Sequence, residues 1–97
     1  MRFEWDEEKD RRNQGKHRVS FETGQLVFDD PHAVSILERV VDEEERWQTL
    51  GQVDDVVLLV AHTYRGNDED EVIRIVSARK ATPRERRIYE NPHETAI

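Results

Sequence analysis

The segment Val56 to Tyr64, VVLLVAHTY, is the most apolar run of the chain, and it limits the folds that the chain can adopt. Only 35% of the 97 residues are hydrophobic and 38% are charged, so the apolar residues must be concentrated in a few segments to offset chain entropy. A continuous apolar run of this length is typical of a strand that is covered on both faces. We therefore expect it to be the central strand of a sheet around one modest core.

Further segments have the composition or alternation of strands, and they lie on both sides of this run at 2–5, 34–41, 47–53 and 72–79. The acidic stretch Asp42 to Glu45 predicts a hairpin turn between two of them. Gly66 to Asp70 has the composition of a loop.

Three segments carry the signals of helix starts. Asp6 and Ser20 are residue types preferred at N-caps, and Thr82-Pro83-Arg84-Glu85 combines a capping box with proline at the first helical position. The expected helices run from Asp6 to Gln14, just before Gly15, from Ser20 through Phe28, and from Thr82 to the break at Asn91-Pro92.

This order of elements predicts an α+β domain with an antiparallel sheet, two N-terminal helices and one C-terminal helix. We expect residues 1–97 to form a single domain in which residues 91–97 are a loose tail. The sequence has no cysteine, no apolar signal region and no apolar run near the roughly 20 residues of a membrane span. These features lead us to expect a soluble cytoplasmic protein that does not enter a membrane.

The segment Ile73 to Tyr89 reverses the charge of the chain, because it has six basic residues and one acid in a sequence of net charge −7. Such a reversal predicts docking of an anion or of an acidic surface. Guanidinium groups match phosphate oxygens, so four side chains are candidates to hold a phosphodiester. They are Arg65, Arg74, Arg79 and Lys80. The alternative is that they pair with the acidic loops at 42–45 and 68–71, and Arg74 is the one most expected to be structural.

Two histidines are candidates to carry protons near neutral pH. His62 ends the apolar run on the same strand face as Tyr64, which predicts a position at the rim of a cleft, although a hydrogen-bonded core histidine is the alternative. His17 follows Lys16 at a helix exit.

Glu85 and Tyr89 lie four residues apart on one face of the last helix, with Arg86 close by. They could act as base, positioner and charge stabiliser in the attack of a ribose 2′-hydroxyl, but Glu85 also completes the capping box and Tyr89 is placed to pack on the sheet. No metal is expected, because the histidines lack ligand spacing and an ordinary turn explains the acids near His32.

Segments over nearly the whole chain resemble the BrnT toxins of bacterial type II toxin–antitoxin systems. They are FEWDEEKDRRNQGKHRVSFE at 3–22, then VFDDP, EERWQTLG, LLVAHTYR at 58–65 and IRIVSARKATPRERRIYE at 73–90. The resemblance implies a toxin of the RelE-like ribonuclease fold that cleaves RNA and blocks translation. It also implies a BrnA-like antitoxin whose ribbon-helix-helix portion binds DNA, in a complex with two copies of each chain. The positions that match family motifs are Lys9, Asn13, Lys16, His17, Arg46, His62, Arg65, Arg74, Ser77, Arg79, Lys80, Glu85, Arg86 and Tyr89.

The hypothesis is therefore a metal-independent endoribonuclease that needs no cofactor and acts on RNA, free or presented by the ribosome. Arg65, Arg79 and Arg86 are expected to stabilise charge on the phosphorane, and His62 or His17 to carry protons. The RNA backbone is expected to bind Lys16, Lys80 and Arg74. The alternative is a non-catalytic binding module that acts as a corepressor or scaffold with a DNA-binding partner. Buried histidines and fully paired arginines would favour that alternative, and an open basic groove would favour the nuclease.

Overall fold

Val56–Arg65 forms the middle strand of a five-stranded sheet, one residue longer than the predicted run. The computed structural model describes residues 1–67 and 69–95, so Asp68 in the predicted loop and the last two residues of the predicted tail lie outside the described residues. The strands are β1 Arg2–Glu4, β2 Val34–Val41, β3 Glu44–Val53, β4 Val56–Arg65 and β5 Val72–Lys80. The helices are α1 Glu7–His17, α2 Phe21–Gly24, which continues as a 3₁₀ turn at Gln25–Asp29, α3 Pro83–Glu90 and α4 Pro92–Thr95.

The α+β class is confirmed, but the prediction of an antiparallel sheet is wrong for one strand. The strand order is β1-β5-β4-β3-β2, and β1 pairs with β5 in the parallel direction, with Phe3 opposite Ile73. The other neighbours pair antiparallel, so the sheet is mixed. Local sequence patterns do not encode which distant strand a short terminal segment will join, and the partner of β1 is about 70 positions away.

The helix boundaries follow their caps. α1 continues past Gly15 to His17, because the chain leaves the helix at Arg18, which has a left-handed φ of 59° and donates its N–H to the Gln14 carbonyl. The capping box of α3 is confirmed, with Thr82 Oγ1 accepting from the Glu85 amide and Glu85 Oε1 accepting from the Thr82 amide. Pro92–Thr95 forms one helical turn in the segment expected to be a loose tail. Among the described residues, each helix is too short or too polar to cross a membrane.

One face of the sheet carries the main core, and we call it the core face. Leu58 and Val60 of β4 lie there beside Ile73, Ile75 and Ala78 of β5, all with exposures of 3% or less. Val19, Phe21 and Val27 from the α2 region pack on them. At roughly 25 cal/mol per Å² of buried apolar surface, this cluster is the main stabilising element of the fold.

α1 has no apolar stripe, and two buried polar side chains attach it to β5 and to α2. Asn13 Nδ2 donates to the Ala78 carbonyl at 2.7 Å, and the Ala78 amide donates to Asn13 Oδ1 at 3.2 Å. Asp10 Oδ1 accepts from the Phe21 amide at 2.9 Å. The Asn13 bonds satisfy backbone groups in the part of β5 that β1 leaves unpaired, so a polar helix can cover a sheet edge.

A substitution at Gly51 tests the packing between β3 and the 3₁₀ turn. A Cβ atom at this position would lie 2.6 Å from the Val27 Cβ and 2.9 Å from the Val27 carbonyl oxygen. We expect Gly51→Ala to lower the free energy of unfolding by about 1–3 kcal/mol in urea denaturation, because backbone must shift. Gly15→Ala is the matched control: no atom lies within 4 Å of its Cβ, and it should raise stability by about 0.5–1 kcal/mol. Equal effects of the two substitutions would contradict this packing.

Candidate active site

A row of side chains crosses all five strands on the face opposite the core. Arg39 of β2 opposes Arg46 of β3, which opposes Thr63 of β4, and Thr63 opposes Arg74 of β5. Glu4 of β1 opposes Arg74 and completes the row. Because directly opposed residues point to the same side of a sheet, three guanidinium groups share one surface. We call this surface the arginine face.

The positive charge of the arginine face is only partly compensated. Arg74 lies 3.7 Å from the Glu4 carboxylate, with 30% of its side chain exposed. Within residues 1–67 and 69–95, neither Arg39 nor Arg46 forms an ion pair, and two buried atoms, Arg46 Nε and Thr63 Oγ1, have no hydrogen-bond partner. Like charges on adjacent strands and unpaired buried polar groups both cost free energy. An anion that docks on this face would offset the repulsion between the guanidinium groups.

A basic cleft adjoins the arginine face between α1 and β5. It has a volume of about 220 Å³ and is lined by Lys9, Arg12, Asn13, Lys16, His17, Val76 and Ser77. The α1 residues recur three and four positions apart, which places them on one side of the helix. Ser77 opposes Ala61, two residue pairs along from the arginine row and on the same face of the sheet. The cleft therefore extends the cationic surface beyond the edge of β5.

His62 does not lie at the rim of a cleft, which corrects the expected placement. It lies on the core face with 0% exposure, its ring 4.9 Å from Phe28 and 5.0 Å from Tyr64. Its Nε2 is 2.7 Å from Thr49 Oγ1, and burial lowers its pKa from 6.5 to about 4. Alternation along β4 turns Thr63 toward the arginine face and His62 away from it. His62 is therefore a neutral core residue, and we exclude it from the candidate site.

Arg79 and Glu85 form a pair that belongs to the frame of the site. The two guanidinium nitrogens of Arg79 lie 2.8 and 2.9 Å from the two carboxylate oxygens of Glu85. The hydrogen bond from Arg79 lowers the pKa of Glu85, and the same bond raises the pKa of Arg79. Because Glu85 also caps α3, this pair ties the helix to the end of β5. The alternative of structural pairing thus holds for Arg79.

Tyr89 has a structural contact rather than a free hydroxyl. Its hydroxyl donates to Asp30 Oδ2 at 2.5 Å, and this bond raises the pKa of Tyr89 to about 12. Desolvation alone would raise the pKa of Asp30, but the bonds from Tyr89 and from the Gln52 and His32 amides outweigh it and leave that pKa lowered. The Asp30 carboxylate is thus hydrogen-bonded to Tyr89 of α3 and to the Gln52 and His32 amides. No group of three or more acidic or histidine side chains in the described parts of the chain could hold a metal ion.

The remaining predicted residues have different positions. Arg65 lies two positions along β4 from Thr63, on the arginine-face side of the sheet, and pairs with Glu44 at 3.6 Å. Lys80 is exposed at the end of β5. Arg86 is exposed on α3 and has no ion pair with a described residue. Lys16 and His17 line the basic cleft, which is the arrangement expected for a nuclease with an open basic groove. Arg74, expected to be structural, pairs with Glu4 but also belongs to the arginine row.

Arg39 is the residue that sequence reasoning missed, and Arg46 entered only as a motif position. Arg46 was not recognised because strand β3 begins at Glu44, three residues before the predicted start. The available signal was an arginine directly after the acidic turn, at the start of a strand. It becomes informative only when the register places Arg46 beside Arg39.

Comparison with known families gives one match. A family model described as the ribonuclease toxin BrnT of type II toxin–antitoxin systems matches residues 5–85. No curated protein matches the chain at a significant level. The matched segment contains the three arginines of the row and the whole basic cleft, and it ends before Arg86 and Tyr89.

The buried position of His62 predicts a pH dependence of stability. Since its pKa is about 4 in the folded protein and 6.5 when unfolded, only the unfolded chain binds a proton between these values, and stability falls as pH decreases from 6.5. We expect the parent to lose about 2 kcal/mol of unfolding free energy between pH 7 and 5, and His62→Gln to lose much less. Urea denaturation at the two pH values measures the difference. The same loss in both proteins would contradict the assignment of a neutral buried imidazole.

Proposed function

The chain belongs to the BrnT family of ribonuclease toxins of type II toxin–antitoxin systems, and from this premise we propose that the arginine face and the basic cleft form its RNA site. The observation that carries the proposal is the row of Arg39, Arg46 and Arg74 beside Thr63, which gathers three guanidinium groups on one face of the sheet. A phosphodiester carries the charge and the acceptor oxygens that such a surface lacks.

In the proposed reaction the ribose 2′-hydroxyl attacks the adjacent phosphorus after losing its proton. The bond from phosphorus to the 5′-oxygen breaks, the 5′-oxygen takes up a proton, and a 2′,3′-cyclic phosphate remains. Arg46 and Arg74 stabilise the charge that grows on the phosphorane oxygens. His17 and Lys16 are the proposed proton carriers, because they line the cleft beside this face. Arginine charge and an internal nucleophile make the reaction independent of metal.

The acidic net charge of the chain is compatible with this proposal because the charges are segregated. The arginine face and the cleft together carry Arg39, Arg46, Arg74, Lys9, Arg12 and Lys16, and Glu4 is the only acid of the row. Within a Debye length of about 8 Å at physiological salt, RNA experiences this local charge rather than the total of −7.

We place this activity in a RelE-like toxin that blocks translation by cutting RNA and is neutralised by a BrnA-like antitoxin. The proposed partner has a ribbon-helix-helix portion that binds DNA, and the complex holds two copies of each chain. The alternative, a corepressor or scaffold without catalysis, is favoured by buried His62 and by the paired Arg65 and Arg79. The unpaired Arg39 and Arg46, together with His17 in the cleft, favour the nuclease.

The reaction class is tested with the purified protein and labelled RNA, with and without a chelator. We expect cleavage that survives chelation and yields 2′,3′-cyclic phosphate ends. Arg46→Ala and Arg74→Ala should each reduce the cleavage rate by about 10²-fold, since each removes one charge-stabilising donor. Arg11→Ala is the matched control, because Arg11 pairs with Glu8 on α1 and does not line the cleft. Products with 3′-hydroxyl ends, or full activity of the double Arg46 and Arg74 variant, would contradict the proposal.

The basic cleft predicts a salt dependence of RNA binding. Single-stranded RNA that contacts the cleft releases counterions, so the logarithm of affinity falls with the logarithm of salt concentration. Removing one phosphate contact by Lys16→Ala should reduce that slope by about 0.7. Fluorescence anisotropy of a labelled RNA at several salt concentrations measures the slope, again with Arg11→Ala as control. An unchanged slope would place the RNA backbone elsewhere.

A further inference from the structure

β2 leaves one edge of the sheet open. It is the last strand in the order, it spans eight residues, and its outer edge pairs with no strand in the described part of the chain. Three of its apolar side chains are exposed, Ile36 at 39%, Leu37 at 44% and Val40 at 59%. Long apolar edge strands are templates for strand addition, and proteins usually cover or charge them.

An apolar patch lies beside this edge on the core-face side of the sheet. Leu37 of β2 opposes Trp47 of β3, and Val40 opposes Glu45, which lies two positions from Trp47 on the same strand. The centroids of the Trp47 and Tyr64 rings are 5.9 Å apart. Tyr64 is 39% exposed. We call Leu37, Val40, Trp47 and Tyr64 the apolar patch. Beneath it, the buried Trp47 Nε1 and His62 Nδ1 have no hydrogen-bond partner among the described residues.

An acidic rim surrounds one side of the patch. Asp42, Glu43, Glu44 and Glu45 line a depression of about 420 Å³ together with Trp47 and Tyr64. Among these acids, only Glu44 has an ion pair within the described ranges, with Arg65. A ligand that covers the patch must therefore bring positive charge to this rim. The arginine face on the other side of the sheet requires the opposite charge.

These observations point to one occupant, and we propose that a strand of the antitoxin adds to the edge of β2. Its side chains on the core-face side are apolar and basic and cover the apolar patch and the acidic rim. Because side chains alternate along a strand, its other face lies beside Arg39, where a carboxylate would extend the arginine row by one position. The inference rests on the proposed function and adds to it the site of neutralisation. The antitoxin strand pairs with the edge of β2, and its carboxylate neutralises positive charge at the Arg39 end of the arginine row.

The test uses the full-length toxin, the cognate antitoxin and measurement of their dissociation constant. Leu37→Asp combined with Val40→Asp should weaken binding at least 10-fold and leave RNA cleavage without antitoxin unchanged. Leu26→Asp is the matched control, because Leu26 is exposed to the same degree, at 43%, but lies in the 3₁₀ turn. Circular dichroism confirms the fold of each variant. Unchanged affinity of the double variant would overturn the proposal.

Hydrogen exchange on the parent protein tests the same edge without substitution. Amides of 34–41 should gain protection when the antitoxin binds, because strand addition pairs their outer groups. No gain there, or protection confined to the arginine face, would overturn the inference and leave the nuclease proposal intact. If the same amides are already protected without antitoxin because two toxin chains pair through β2, the inference is also overturned. If the parent binds antitoxin through this edge but fails to cleave RNA, the proposed function fails and the docking site stands.

The acidic rim provides a charge test. Glu45→Lys reverses a charge on the core-face side next to Val40, and we expect it to weaken antitoxin binding several-fold, most strongly at low salt. Glu22→Lys, an exposed acid on α2, is the matched control and should not change affinity. Tighter binding of Glu45→Lys would show an acidic partner segment and overturn the proposed chemistry.

Discussion

The hydrogen-bonded register between β3, β4 and β5 is the constraint on which the candidate site depends. It places Arg46, Thr63 and Arg74 side by side, although they lie far apart in sequence. A slip of one residue in any pair would turn the corresponding side chain to the other face of the sheet. The register is held by the apolar side chains of the core face, chiefly Val60 and Ile75, which a slip would expose. Core packing therefore positions the cations.

The two faces of the sheet contribute differently to stability and to ligand binding. The core face buries apolar side chains and a neutral His62, and it contributes most of the favourable free energy. The arginine face keeps Arg39 and Arg46 unpaired and so gives up some stability. Arg79, by contrast, has a structural role in its pair with Glu85. The unpaired arginines of β2 and β3 thus lie on the surface where an anion would be bound.

Most of the secondary structure could be predicted because its signals are local. The apolar run of β4, the capping box at Thr82 and the edge strand 34–41 each depend on residues within a few positions of one another. The features that could not be predicted have non-local causes. The parallel pairing of β1 depends on β5, and α1 is held by Asp10 and Asn13, whose backbone partners lie in other elements. Of the residues predicted for a site, Lys16, His17 and Arg74 lie on the cationic surface, whereas His62 does not.

The sequence by itself determined the α+β class, the reversal of charge in residues 73–89 and the family resemblance, since each is carried by composition or by contiguous motifs. Only the tertiary structure decided which cations are free and which side chains share a face. Ion pairing and facing depend on strand register, which joins residues such as Arg39 and Arg74 that no local pattern relates. Alternation along β4 also explains the burial of His62, because neighbouring residues of a strand point to opposite faces and Thr63 points to the arginine face.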